Sequence, residues 1–167
     1  MPEVNILSGK DTAQSIYNNL KPRILSLQEQ GVIPGLCVVL VGDNPASKIY
    51  VRTKTKKLKS LGLISESILL HENVDQEKLI KVIDDLNKDT KYHGILVQLP
   101  LPRHINSQKV INAISPQKDV DGFHPENVGW LSIGKPRFIP CTPKGIMKLL
   151  DYYEIDLSGK NIVIIGR

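Results

Sequence analysis

The chain has 167 residues, 41% of them hydrophobic and 23% charged, the make-up of a water-soluble globular protein long enough for one domain and part of another. No apolar run approaches the ~20 residues needed to span a bilayer, and the start, MPEVNILSGK, lacks the basic-then-apolar pattern of a secretion signal. The net charge of +5 suits a small polyanion as well as nucleic acid, and the aromatics, 5% of the chain, are not interleaved with the basic residues as a base-stacking surface requires. Nucleic acid and membrane are therefore set aside as partners. Cys37 and Cys141 are far apart and suggest no disulfide framework, so a reducing cytoplasm is expected. His71, His93, His104 and His124 show no metal-ligand spacing, and no metal is expected.

In chain order, Asp11 or Thr12 reads as the cap of a first helix with Ala13, Ile16, Tyr17 and Leu20 facing inward. Pro22 is expected to kink or end it unless the chain restarts there. Gly35 to Gly42 (GLCVVLVG) is a continuous apolar strand. A helix follows, with Asn44 as N-cap, Pro45 at the first helical position and Gly62 as its stop. Ser65 to His71 reads as a second strand, and Asp75 caps a helix with Leu79, Val82, Ile83 and Leu86 inward. His93 to Leu99 is a third strand, ended by Pro100, Leu101 and Pro102, and a short helix spans Val110 to Ile114. Such alternation, with nearly uninterrupted apolar strands, predicts an α/β fold whose parallel sheet is covered on both faces.

From Lys118 to Pro143 the chain is rich in Gly, Pro and Asp and has no sustained periodicity, as a hinge does. Thr142 then caps a helix with Pro143 at its first position, running to about Tyr153. The closing NIVIIGR, with four β-branched residues from Ile162 to Ile165, reads as the first strand of another parallel α/β unit. The domains expected are 1–121 and 122–167, with this chain the front part of a longer protein.

One lysine departs from its helix's pattern. At about 100° per residue, Ser47, Tyr50, Val51, Lys54, Leu58 and Leu61 share one stripe, while Arg52, Lys56 and Lys59 point the other way. Lys54 thus sits on the apolar side. Either it snorkels its head past its neighbours, or it is held where burial lowers its pKa into a range useful for proton transfer. Ligands in open parallel sheets bind beyond the carboxyl ends of the strands. Gln98, the polar residue closing the third strand, falls there, as does the start of the helix bearing Ser47, Tyr50 and Lys54. Asp121, in KDVDG, returns to the same edge. Taken singly, Gln98 also reads as a strand-end cap, Tyr50 as a core aromatic and Asp121-Gly122 as a turn. The Asp-x-Asp-Gly also hints at calcium, but the remaining ligands of such a loop are missing.

Five blocks, in order, resemble the bifunctional methylenetetrahydrofolate dehydrogenase/cyclohydrolase family. They are Ser-x-x-Tyr-Val-x-x-Lys-x-Lys from Ser47 to Lys56, GILVQLPLP (Gly94 to Pro102), KDVDGFH (Lys118 to His124), PCTPKG (Pro140 to Gly145) and the terminal VIIGR. The resemblance implies a cytoplasmic homodimeric enzyme of one-carbon metabolism, built from a three-layer folate-binding domain and a Rossmann-like NAD(P)-binding domain. It would oxidise methylenetetrahydrofolate with NADP, NAD being the alternative, and hydrolyse the methenyl product to formyltetrahydrofolate. Lys54 matches the catalytic lysine and Tyr50 the aromatic that stacks on the folate. Gln98 matches the residue orienting the lysine, with Ser47 assisting. Asp121 matches the carboxylate that receives the pterin N–H groups, and Pro100 falls among the substrate contacts. Gly166 and Arg167 begin the dinucleotide phosphate site, and Cys141 is given no chemistry. The competing readings are a stand-alone folate-binding module without chemistry and a basic nucleic-acid-binding module.

Overall fold

The computed structural model describes residues 6–165. Three parallel strands form the sheet: β1 (Gly35–Val41), β2 (Ile64–Leu70) and β3 (Gly94–Val97), in the order β2-β1-β3. β1, the most apolar, lies in the centre, pairing Val39 with Ile68 on one side and with Val97 on the other. Alternate residues of the strands point to opposite faces. Cys37, Val39, Val41, Ile95 and Val97 pack with Leu79, Ile83 and Leu86 of α3 (Gln76–Lys88) and Val110 of α4 (Ser107–Ala113). Val38, Leu40 and Leu96 pack instead with Val51 of α2 (Pro45–Ser60). The expected parallel sheet with helices on both faces is what forms.

α2 follows its sequence signals closely: Asn44 Oδ1 accepts from Ser47 N at 3.1 Å, and Gly62 takes φ +76° just past the last turn. α3 is capped by Asp75, whose carboxylate accepts from Lys78 N at 2.7 Å. Two close approaches fix the amino ends of strands. A Cβ on Gly35 would lie 2.2 Å from Lys91 O, and one on Gly94 would lie 2.4 Å from Val120 Cγ1.

The structure departs from expectation in four places. α1 (Gly9–Glu29) begins a turn early, capped by Ser8, and runs through Pro22 unbroken. Thr12 Oγ1 bonds back to Ser8 O at 3.1 Å. Asn18, whose carbonyl Pro22 leaves unpaired, is exposed, as is Pro22, so water can serve that carbonyl. Within the aperiodic stretch, Pro125–Ser132 folds as α5, capped by His124, whose Nδ1 accepts from Glu126 N at 3.1 Å. The last helix, α6 (Cys141–Tyr152), follows Pro140 without a side-chain cap, so Thr142 lies inside its first turn. Pro143 is tolerated there because a first-turn N–H has no partner in any case. Residues 162–165 form no strand and are exposed, from 56% at Ile162 to 97% at Ile165. Among the described residues no strand pairs with this apolar run.

Candidate active site

Beyond the carboxyl ends of the strands, four separate segments converge. Three residues, Gly42 to Asn44, separate the end of β1 at Val41 from the start of α2 at Pro45, whose second turn carries Tyr50 and third Lys54. Gln98 follows β3 directly, its backbone N–H bonded to Val39 O at 2.9 Å as a continuation of the sheet. That bond aims the amide side chain. Lys54 Nζ donates to Gln98 Oε1 at 3.3 Å, while Gln98 Nε2 donates to Leu99 O at 2.9 Å. With its NH₂ committed to the backbone, Gln98 presents its oxygen to the lysine and fixes the ammonium's direction. Lys54 is half-buried, as its place between the apolar stripe and the cleft predicts.

Asp121 enters from the 119–122 turn. Burial pushes its carboxyl above the ordinary range; the nearby Lys54 charge pulls the other way and the Asp119 charge adds to the rise. A partly buried carboxyl raised by desolvation, with a lysine charge close enough to act on it, is a functional-site candidate. Tyr50 is 64% exposed, which excludes the core-aromatic reading and leaves a flat ring open to solvent one turn from Lys54. Ser47, by contrast, is buried at 6%. Seven residues separate it from Lys54, about two turns or 10 Å of helix, and its N–H serves the Asn44 cap. It does not join Gln98 in bonding the lysine. Pro100 is exposed beside the cis Leu99–Pro100 peptide, two residues after Gln98.

Two contributors were not legible as chemistry in the sequence. Cys141, the first residue of α6, brings its thiol 3.9 Å from Val120 O. Its pKa is raised by burial and by the Asp121 charge, against the opposing charges of Lys54 and Lys144. Asp119, two residues before Asp121, is buried at 2% and accepts from Gly122 N, His124 N and Asn127 Nδ2 at 3.1, 2.8 and 2.8 Å. Its oxygens are turned inward on N–H donors, which disposes of a calcium loop. Among the described residues no group of three or more His, Cys, Asp or Glu is gathered as a metal would need. Gly166 and Arg167 lie outside the described residues.

A hollow of about 520 Å³ lies elsewhere, between α2 and the outer strand β2, and is lined by Val51, Arg52, Lys56, Ile68 and Leu69 among others. None of the converging polar groups faces it. Convergence of oriented polar side chains is a better guide to chemistry than volume, so the cleft of Lys54 is the candidate site.

A three-stranded parallel sheet with helices on both faces and a lysine, an amide and a carboxylate beyond its carboxyl edge places the chain in the open-sheet α/β class, in which ligands bind at that edge. The tetrahydrofolate dehydrogenase/cyclohydrolase catalytic-domain profile matches residues 7–121, and the NAD(P)-binding-domain profile of the same family matches 140–167. The chain belongs to the tetrahydrofolate dehydrogenase/cyclohydrolase family. It is 55% identical over 163 residues to the bifunctional protein FolD of Streptococcus uberis, covering 97% of this chain and 57% of that protein. The FolD of Geotalea daltonii is 52% identical over 162 residues, with 97% and 58% covered. Among solved structures, bifunctional FolD from Campylobacter jejuni superposes with a TM-score of 0.88 at 48% identity, over 92% of this chain and 55% of that one. The Trypanosoma brucei enzyme, solved with NADP and an inhibitor, gives 0.91 at 36% identity, over 96% and 55%. The chain thus spans little more than half the length of these relatives.

Proposed function

We propose that the Lys54 cleft binds a reduced folate and hydrolyses 5,10-methenyltetrahydrofolate to the 10-formyl form. The observation that carries this reading is the Lys54–Gln98 bond beside the Asp121 carboxyl. The pterin's amino and ring N–H groups are paired donors, and Asp121, ionised, accepts both. Tyr50 offers a ring face on which a flat heterocycle stacks, and Pro100 forms part of the rim. Water adds to the carbon bridging N5 and N10, with Lys54 Nζ as the general base that takes its proton. The carbon–N5 bond then breaks as the added hydroxyl gives up its proton and N5 takes one. The carbon remains as formyl on N10, and one proton is released overall. Gln98 contributes by holding Nζ in place; Ser47 contributes only through the start of α2.

The same reading includes oxidation of the methylene form, for which NADP, with NAD as the alternative, supplies the hydride acceptor when bound. The profile match at 140–167 and the NADP complex of the Trypanosoma brucei relative support it. Among the described residues, 140–165 form no dinucleotide cradle, so the steps derived above are those of hydrolysis alone. A homodimer in the cytoplasm completes the proposal. β2 has an unpaired outer edge with Leu69 61% exposed, a surface that invites a second strand. Both cysteines are free thiols, as reducing conditions require.

The deciding measurement is the hydrolysis rate of methenyltetrahydrofolate by the natural-length protein carrying this chain. Lys54→Met keeps the length of the side chain and removes the proton carrier, so the rate should fall by about 10²-fold or more. A methionine variant working at the parent rate would reduce Lys54 to a snorkelling surface residue.

A further inference from the structure

The 118–127 segment contains more ordered polar chemistry than a turn needs. Lys118 Nζ donates to Leu86 O and Asp89 O at 2.9 and 2.7 Å, tying the start of the segment to the end of α3. Lys118 O receives Ile95 N at 2.8 Å, and Asp119 forms a parallel bridge with Ile95, so the segment begins as a short extension of the sheet beside β3. Val120 is then locked sideways, because it occupies the space a Cβ on Gly94 would fill. After that the backbone turns sharply at Gly122, φ +69°. Asp119 holds that turn closed by accepting from Gly122 N and His124 N. Its third donor, Asn127 Nδ2, also donates to Pro116 O at 2.9 Å, and Asn127 is 0% exposed. Asn127 Oδ1 in turn accepts from Arg137, which pairs with Glu126. Every bond in this set is made around Asp121 and none to it.

We propose that Asp119 is the positioning residue for Asp121, with Asn127 as its partner: together they clamp the turn so that the Asp121 carboxyl, itself unbonded, is held in one place near Lys54. The role assigned to the Asp121 carboxyl rests on the folate reading above; the clamp itself rests on the bonds. A buried carboxylate with three N–H donors holds backbone geometry far more tightly than a neutral turn residue. Such tightness is worth having where a ligand's paired donors must meet a carboxylate edge-on.

The test is a double-mutant cycle in the natural-length protein, read by calorimetric titration with 5-formyltetrahydrofolate and by amide hydrogen exchange. In Asp119→Asn an NH₂ replaces one accepting oxygen: in the place of Oδ1 it opposes Gly122 N, and in the place of Oδ2 it opposes His124 N and Asn127 Nδ2. Losing charge-assisted bonds of this kind should weaken folate binding about 10-fold with Asp121 present, and less than about 2-fold in the Asp121→Asn background, because the effect runs through Asp121. Exchange at Gly122 and His124 should speed up at least about 10-fold, while Val38 and Val39 in the central strand stay as protected as before. Additive losses in the cycle would overturn the proposal, and so would unchanged exchange at the turn. A rise in exchange spread equally through the sheet would also overturn it, making Asp119 a general stabiliser. If Asp119→Asn does not fold, Asn127→Ala takes its place in the same cycle, with a smaller loss of about 3-fold expected because it withdraws one of the three donors from Asp119. A parent protein that failed to bind 5-formyltetrahydrofolate would sink the folate reading, while the exchange data would still decide the clamp.

Discussion

Two segments of this chain are written in nearly the same alphabet and meet opposite fates. GLCVVLV becomes β1, with Cys37, Val38 and Val39 all at 0% exposure. IVII, at 162–165, forms no strand, with Val163 and Ile164 at 86% and 89% exposure. The difference lies in their partners. β1 has a strand on each edge and a helix layer on each face, whereas the later run has neither, and α6 before it contains no buried residue. A β-branched run states a demand for burial; the rest of the fold decides whether the demand is met.

The comparison is most sharply broken or upheld by truncating one side chain in each region. Ile83, 0% exposed beneath the sheet, should cost about 2–5 kcal/mol of stability as Ile83→Ala. Ile164→Ala should cost almost nothing by the same urea titration. Similar losses at both positions would mean the tail is packed in solution and that the two regions are one cooperative unit.

A smaller effect is expected where the packed region meets ligand. Tyr50→Ala removes a stacking face without disturbing the core, since the ring is exposed, and should weaken folate binding by about 1 kcal/mol with the melting temperature unchanged. Titration alongside thermal melting checks both halves. A loss of stability without a loss of affinity would place Tyr50 among the packing residues after all.

The smallest effect concerns pH. In the folded protein Asp121 has a pKa raised by burial, so between the ordinary carboxylate range and that raised value the native state holds more protons than the unfolded one. Stability therefore falls as pH climbs through that window. Asp121→Asn removes the term. Relative to the parent, the variant should gain in melting temperature as pH rises from below the carboxylate range to neutrality, and lose folate affinity over the same range. A difference in melting temperature independent of pH would mean the carboxyl is not desolvated.

Much of this architecture could be read from residues. Asn44-Pro45 and Gly62 bracket α2, and Asp75 opens α3, because capping is local chemistry that a few residues specify. The grouping of Lys54, Gln98 and Asp121 at one edge followed from helix phase and from the rule that parallel strands end together. What escaped was of two kinds. α5 is only eight residues long and has too few turns to show a period, though His124-Pro125-Glu126 carries the start signals of proline at the first position and an acid in the first turn. Asp119 escaped because its partners, Gly122, His124 and Asn127, are backbone groups and an amide whose orientation no periodicity encodes. Ser47 was misjudged toward Lys54 because sharing a stripe does not bring residues two turns apart into contact.

The parallel order β2-β1-β3 also gives the molecule a working end and an idle one. All the converging side chains leave the carboxyl edge, so the opposite edge, where Gly31 to Ile33 lead exposed into β1, is free of them. Gly31 has φ +77° with no atom within 4 Å of where a Cβ would be, so that side of the turn meets open space. A fluorophore, a tether or a few inserted residues at Val32 would sit on the far side of the sheet from Lys54, and loop lengthening there carries only a slowly growing entropic cost. Attachment at that edge would leave the cleft unobstructed in an immobilised or labelled protein.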